Sequence, residues 1–133
     1  RLEGVRMACA DLGLDPPEVR TSSFAPQEAA AAVAAWVSSG VTAVCAFNDE
    51  LAMALIEAGH RQGLAIPGAL GVVGVDNLPW GAHCVPSLST VAPNPERIGR
   101  VIAEYVVAGV SGSTAQPARV GGSFISLIER DSA

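Results

Sequence analysis

Two short apolar runs, each cut off by amides and carboxylates, constrain this chain more than anything else in it. Val41-Thr-Ala-Val-Cys-Ala-Phe47 ends in Asn48-Asp49, and Leu70-Gly-Val-Val-Gly-Val75 ends in Asp76-Asn77. Between them a helical pattern over residues 49–62 carries Leu51, Leu55 and Ala58 on one face and closes at Gly63, ahead of Pro67. That order is a β-α-β unit, and it predicts an α/β fold built on a parallel sheet flanked by helices. It also puts polar residues just past the carboxyl end of each strand, the edge where open parallel sheets bind small ligands. Side chains with this hydrogen-bonding capacity, and no nucleophile or metal-ligating cluster beside them, point to recognition rather than chemistry.

Composition narrows the class. The 133 residues suffice for one domain with a real core, and half of them are hydrophobic while 16% are charged. The apolar runs break within about ten residues, short of the roughly 20 a membrane span needs. No apolar segment of a secretory signal opens the chain, which suits a cytoplasmic protein; no initiator Met opens it either, and the chain is expected to be part of a longer one. A net charge of −5, the absence of Lys and the scattering of the Arg residues argue against direct phosphate-backbone binding by this segment. Cys9, Cys45 and Cys84 match no zinc spacing and read as reduced, buried thiols.

Along the chain, Leu2, Val5, Cys9 and Leu12 recur at helical spacing before Gly13. Residues 19–24 read as a short strand with weak alternation. Pro26 opens a helix with Ala29, Val33, Trp36 and Val37 on its buried stripe, and Gly40 closes it. Trp36 is expected in the core and His60 on the surface. Residues 41–47 and 70–75 read as buried parallel strands, and 88–91 as a further short strand. Asn94-Pro95-Glu96 starts a helix whose apolar face is Ile98, Val101, Ile102, Tyr105 and Val106. A linker over residues 109–117 leads to a last strand at 124–128.

Five segments, in order and at natural spacing, resemble the carboxyl-terminal part of the LacI/GalR family of bacterial transcription regulators. They are Arg1-Leu-Glu-Gly4, Val41-Thr-Ala-Val-Cys-Ala-Phe-Asn-Asp-Glu-Leu-Ala-Met53, Gly63-Leu-Ala-Ile-Pro67 with Gly71-Val-Val-Gly-Val-Asp-Asn77, Pro86-Ser-Leu-Ser-Thr-Val91, and Leu127-Ile-Glu-Arg130 with Ser132. The resemblance implies a type I periplasmic-binding-protein-like architecture of two α/β subdomains clasping a ligand. Residues 1–133 would form the carboxyl-terminal part of it, truncated, with about 94–117 contributing to the otherwise missing first subdomain. The DNA-binding helix-turn-helix would be absent. Val75, Asn77 and the Ala92-Pro93-Asn94-Pro95 stretch depart from the family pattern, which puts the ligand's identity in doubt.

By that resemblance Arg1, Phe24, Asn48 and Asp76 bind a small sugar-like effector. A guanidinium suits adjacent hydroxyls, an ionised carboxylate accepts from two vicinal hydroxyls, and an aromatic ring can stack on a sugar. Other roles are open to each: Asn48 as the N-cap of the following helix, Asp76 as an Asx-turn residue, Phe24 as a strand core residue. Trp80 could be a pocket wall or a partner contact. The implied partners are the effector, a second copy of the chain in a homodimer, and operator DNA through the absent amino-terminal domain. No cofactor, metal site, membrane contact or catalytic residue is expected. A solute-binding protein of a sugar importer would share the architecture. An α/β enzyme is disfavoured by the lack of a Ser-His-Asp arrangement, a phosphate-gripping glycine loop or facing carboxylates.

Overall fold

Three helices of this chain end alike. The computed structural model describes residues 1–112 and 124–133. Helices α1 (Leu2–Asp11), α2 (Pro26–Ser38) and α3 (Asp49–Arg61) are followed by Gly13, Gly40 and Gly63, all at positive φ. After α2 the amide of Gly40 donates to the Val37 carbonyl at 3.1 Å and that of Val41 to the Trp36 carbonyl at 2.9 Å. After α3 the amides of Gly63 and Leu64 donate likewise to His60 and Gly59. These paired bonds satisfy the last helical carbonyls and require a left-handed residue, which glycine supplies without a steric penalty. At α2 they turn the chain straight into β1 (Ala43–Cys45).

Strands β1, β2 (Gly71–Val75), β3 (Ser89–Pro93) and β4 (Ile125–Ile128) lie side by side in that order. The first three are parallel, with Val44 beside Val72 and Val73 beside Ser89, while β4 runs antiparallel to β3. The carboxyl ends of β1, β2 and β3 therefore share one edge. One core joins Ala29, Val33 and Trp36 of α2, Val44 of β1, Ala52, Leu55 and Ile56 of α3, Val72 of β2, and Leu70 and Leu88 at the strand entrances. Trp36 is buried as expected, but Ala32 takes the place foreseen for Val37, which is exposed. Gln62 ties the end of α3 back to α2 through a 3.0 Å bond from Nε2 to the Ala30 carbonyl.

Several local expectations fail for identifiable reasons. Residues 19–24 pair with no strand, because their polar groups are taken locally. Ser39 Oγ donates to Glu18, Glu18 pairs with Arg20, and the Ser23 amide donates to Glu28 Oε2 at 2.8 Å. The run at 41–47 is a strand only over Ala43–Cys45, and it alternates: Val44 and Ala46 face the core while Ala43, Cys45 and Phe47 are exposed. Cysteines 9, 45 and 84 are all free, yet none is buried. Cys9 lies close enough to Cys45 for its charge to add to the partial burial that pushes the Cys45 thiol up.

Helix α4 (Pro95–Val110) starts as anticipated, with Asn94 Oδ1 accepting the Arg97 amide at 3.0 Å. It outruns the expected linker start at residue 109, and residues 113–117 of that linker lie outside the described ones. Its apolar face is real, but no α4 residue is buried and Ile102, Tyr105 and Val106 are each more than half exposed.

Candidate ligand-binding site

Parallel pairing brings the ends of β1 and β2 together, so Phe47-Asn48 and Asp76-Asn77 stand side by side at one sheet edge. Arg1, at the start of α1, reaches across both. One guanidinium nitrogen donates to the Phe47 carbonyl, and the other lies 3.5 Å from Asp76 Oδ1. The guanidinium also sits over the Phe47 ring, 4.6 Å from its centroid. The Arg1 and Asp76 side chains are 49% and 37% exposed, so water weakens their attraction to about 1 kcal/mol or less. Such a pair can exchange one partner for a ligand hydroxyl at little cost, which suits binding better than scaffolding.

Asn48 caps α3. Its Oδ1 accepts the Leu51 amide at 2.9 Å, which leaves the amide nitrogen as the group it can offer a ligand. Both roles considered for Asn48 are therefore compatible, one on each end of its side chain. The next residue, Asp49, is completely buried: Oδ1 accepts the Thr90 hydroxyl at 2.6 Å and Oδ2 the Leu78 amide at 2.7 Å.

The turn carrying Asp76 is unusual in its backbone. Asp76 has φ 111°, outside the left-handed well, and is held there by its surroundings, while Asn77 at φ 54° lies inside that well, which asparagine enters more readily than most residues. Those surroundings are specific. The Asp76 amide donates to the Val91 carbonyl at 2.9 Å, and the Asn77 amide to Thr90 Oγ1 at 3.3 Å. Asn77 Oδ1 accepts from Arg130 Nη2 at 2.9 Å, and Arg130 Nη1 donates to the Leu88 carbonyl at 2.6 Å. Ser132, fully buried, accepts the Ser89 amide at 2.8 Å and donates to the Val72 carbonyl at 2.6 Å. Ser132 thus ties the early residues of β2 and β3 together, and Arg130 links the entrance of β3 to Asn77 in the turn.

The structure gathers Arg1, Asn48 and Asp76 at one edge. Phe24 is 59% exposed just ahead of α2, and among the described residues it has no hydrogen bond or ring contact to the other three. The aromatic ring actually at Arg1 belongs to Phe47, which was read as the end of a buried strand. Alternation was the available signal: Val44 and Ala46 inward puts residue 47 on the outer face, at the end of β1. The buried role of Asp49 was also missed, and so were Thr90 and Arg130. Trp80 is 70% exposed on the short 3-10 helix Pro79–Ala82. A concavity of about 430 Å³ lined by Val19, Arg20, Glu28 and Ala32 shares no residue with this edge.

Residues 1–133 match the family described as periplasmic binding protein-like domain. The chain belongs to that family. Among the relatives of this periplasmic binding protein-like domain is the HTH-type transcriptional regulator AscG of Escherichia coli strain K12, 30% identical over 137 residues that cover 99% of the chain and 40% of AscG. A sugar-binding transcriptional regulator of the LacI family from Escherichia coli, solved with phosphate, superposes with a TM-score of 0.80 at 28% identity, over all of this chain and 49% of that one. The transcriptional regulator CelR in complex with cellobiose superposes at 0.79 and 27% identity, over 99% of this chain and 41% of that one. These relatives are transcriptional regulators rather than enzymes. The chain spans less than half of their length. Among the described residues, no helix is long and apolar enough to cross a membrane.

Proposed function

We propose that this chain is the ligand-sensing part of a cytoplasmic bacterial transcription regulator, a repressor of the LacI/GalR kind, which binds a small sugar-like effector. Arg1 and Asp76 supply donors and acceptors to vicinal hydroxyls, Asn48 adds its amide nitrogen, and the rings of Phe47 and Phe24 offer apolar faces to the sugar. The observation that carries this reading is the solvent-accessible Arg1–Asp76 pair across adjacent parallel strand ends. An amino-terminal helix-turn-helix domain binds the operator, and Asn94 with α4 belongs to a first subdomain that closes over the ligand. Effector binding stabilises one closure angle and shifts the population that binds DNA. Two copies pair through this part of the chain, where Trp80 and Val85 are exposed at 70% and 81%. Ile56, on α3, is committed to the core and takes no part in this surface. A solute-binding protein of an importer is disfavoured by relatives that are HTH-type transcriptional regulators.

A thermal-shift screen of the intact protein against mono- and disaccharides, cellobiose among them, tests the reading. A sugar that raises the melting temperature should also change operator binding in a gel shift, because only a ligand that distinguishes two states can move their balance. Stabilisation with no effect on DNA would contradict the regulator assignment, and no stabilisation by any sugar would contradict the sugar.

A further inference from the structure

A wholly buried carboxylate is a demanding feature, and Asp49 is one. Its two oxygens receive a hydroxyl and a backbone amide at 2.6 and 2.7 Å, and it stands in the first turn of α3, where the helix dipole favours a negative charge. We propose that Asp49 is a positioning residue for Asp76: it holds the backbone of the ligand turn at positive φ. This rests on the reading of Asp76 as a ligand-binding carboxylate.

The connections converge on that turn. Asp49 Oδ2 fixes the Leu78 amide directly. Asp49 Oδ1 orients the Thr90 hydroxyl, whose oxygen then accepts the Asn77 amide at 3.3 Å. The two amides held in this way immediately follow Asp76 and include that of Asn77, itself at φ 54°. Released from them, the turn would relax toward negative φ and carry the Asp76 carboxylate away from Arg1. The fold also makes room for this arrangement. A Cβ on Gly74 would collide with Asp49 Oδ1 and lie 3.1 Å from both Asp49 Cα and Leu88 Cδ2, so the strand leading to Asp76 must carry glycine there. Residues from α3, β2 and β3 thus meet at one carboxylate that itself touches no solvent.

Hydrogen–deuterium exchange of the intact, ligand-free protein tests the role in the peptide spanning residues 75–80, with peptides from α2 and α3 as internal references. Thr90→Val removes the relay hydroxyl at nearly constant volume, and Thr90→Ser keeps the hydroxyl while losing a methyl. Thr90→Val, and Asp49→Asn if it folds, should speed exchange at 75–80 by about tenfold, with the references unchanged. Thr90→Ser should stay close to wild type. Unchanged exchange at 75–80 in Thr90→Val would overturn the proposal. So would equal acceleration in the references, or a Thr90→Ser variant as fast as Thr90→Val, since either reduces Asp49 and Thr90 to general core packing. The readout uses no ligand, so its failure leaves the ligand assignment standing; conversely, undiminished effector binding by Asp76→Ala would overturn that assignment alone.

Discussion

Phe47 does two jobs for Arg1, offering its carbonyl as an acceptor and its ring as a surface for the guanidinium. A cation over an aromatic face is worth about 0.5–1 kcal/mol at an exposed site, and the ring also limits where the long Arg1 side chain can go. Phe47→Ala keeps the carbonyl and removes the ring. It should weaken effector binding by about three- to fivefold with little change in melting temperature, because the ring is 66% exposed and contributes little to the core. Calorimetric titration beside a thermal scan checks this; equal affinity in the two proteins would show that the ring does not order Arg1. Asp49 marks the opposite limit at this scale. In the sequence it reads as an ordinary first-turn acid, and its burial depends on Leu78 and Thr90, residues far along the chain.

Among the elements, β2 passes α3 at Gly74 so closely that a Cβ there would collide with Asp49. Gly74→Ala should destabilise the protein by about 1–3 kcal/mol, the usual penalty for overpacking, read as a lower denaturation midpoint at unchanged slope. A neutral or stabilising alanine would mean that the close approach between Asp49 and β2 is absent. At the start of α2, the Ser23 backbone amide and then its side chain hold the Glu28 carboxyl below the usual carboxylate range. A depressed carboxylate contributes stability above its ordinary pKa and loses it as pH falls through its own lower one. The Ser23 amide resonance should therefore move, on acidification, with a midpoint below that of a free glutamate; a midpoint at the ordinary value would show the contact to be absent. The helices were legible because each carries its own punctuation: Pro26, Asn48 and Asn94 at their starts, and Gly13, Gly40 and Gly63 past their ends. Strands depend on partners, which is why residues 19–24 misled. Their apolar content allows a strand, but Ser23 and Glu28 satisfy the local backbone without a ladder. The meeting of the strand ends was legible in Asn48 and Asp76, polar residues that interrupt apolar runs. The positive-φ turn and the Arg130 clasp were not, since both arise from contacts across the sheet.

At the scale of the whole molecule, the described residues divide into a well-packed body and an unfinished flank. The body is α2, α3 and the first three strands; the flank is α1, α4 and β4, in whose ranges no residue is buried. Such a flank fits a chain that spans under half of its relatives' length, and the proposed first subdomain would cover it. With no Lys and a net charge of −5, residues 1–133 on their own should leave operator DNA unshifted in a gel at moderate salt. Tight, salt-resistant binding by them would contradict the assignment of DNA recognition to an amino-terminal domain. The central claim, that an effector is held at the edge between Arg1 and Asp76, is tested most directly by calorimetric titration of the intact protein and its Asp76→Ala variant with the sugar found by thermal shift. Loss of a charged hydrogen-bonding partner should cost about 2–3 kcal/mol, roughly a hundredfold in affinity. The same affinity in both proteins would contradict it.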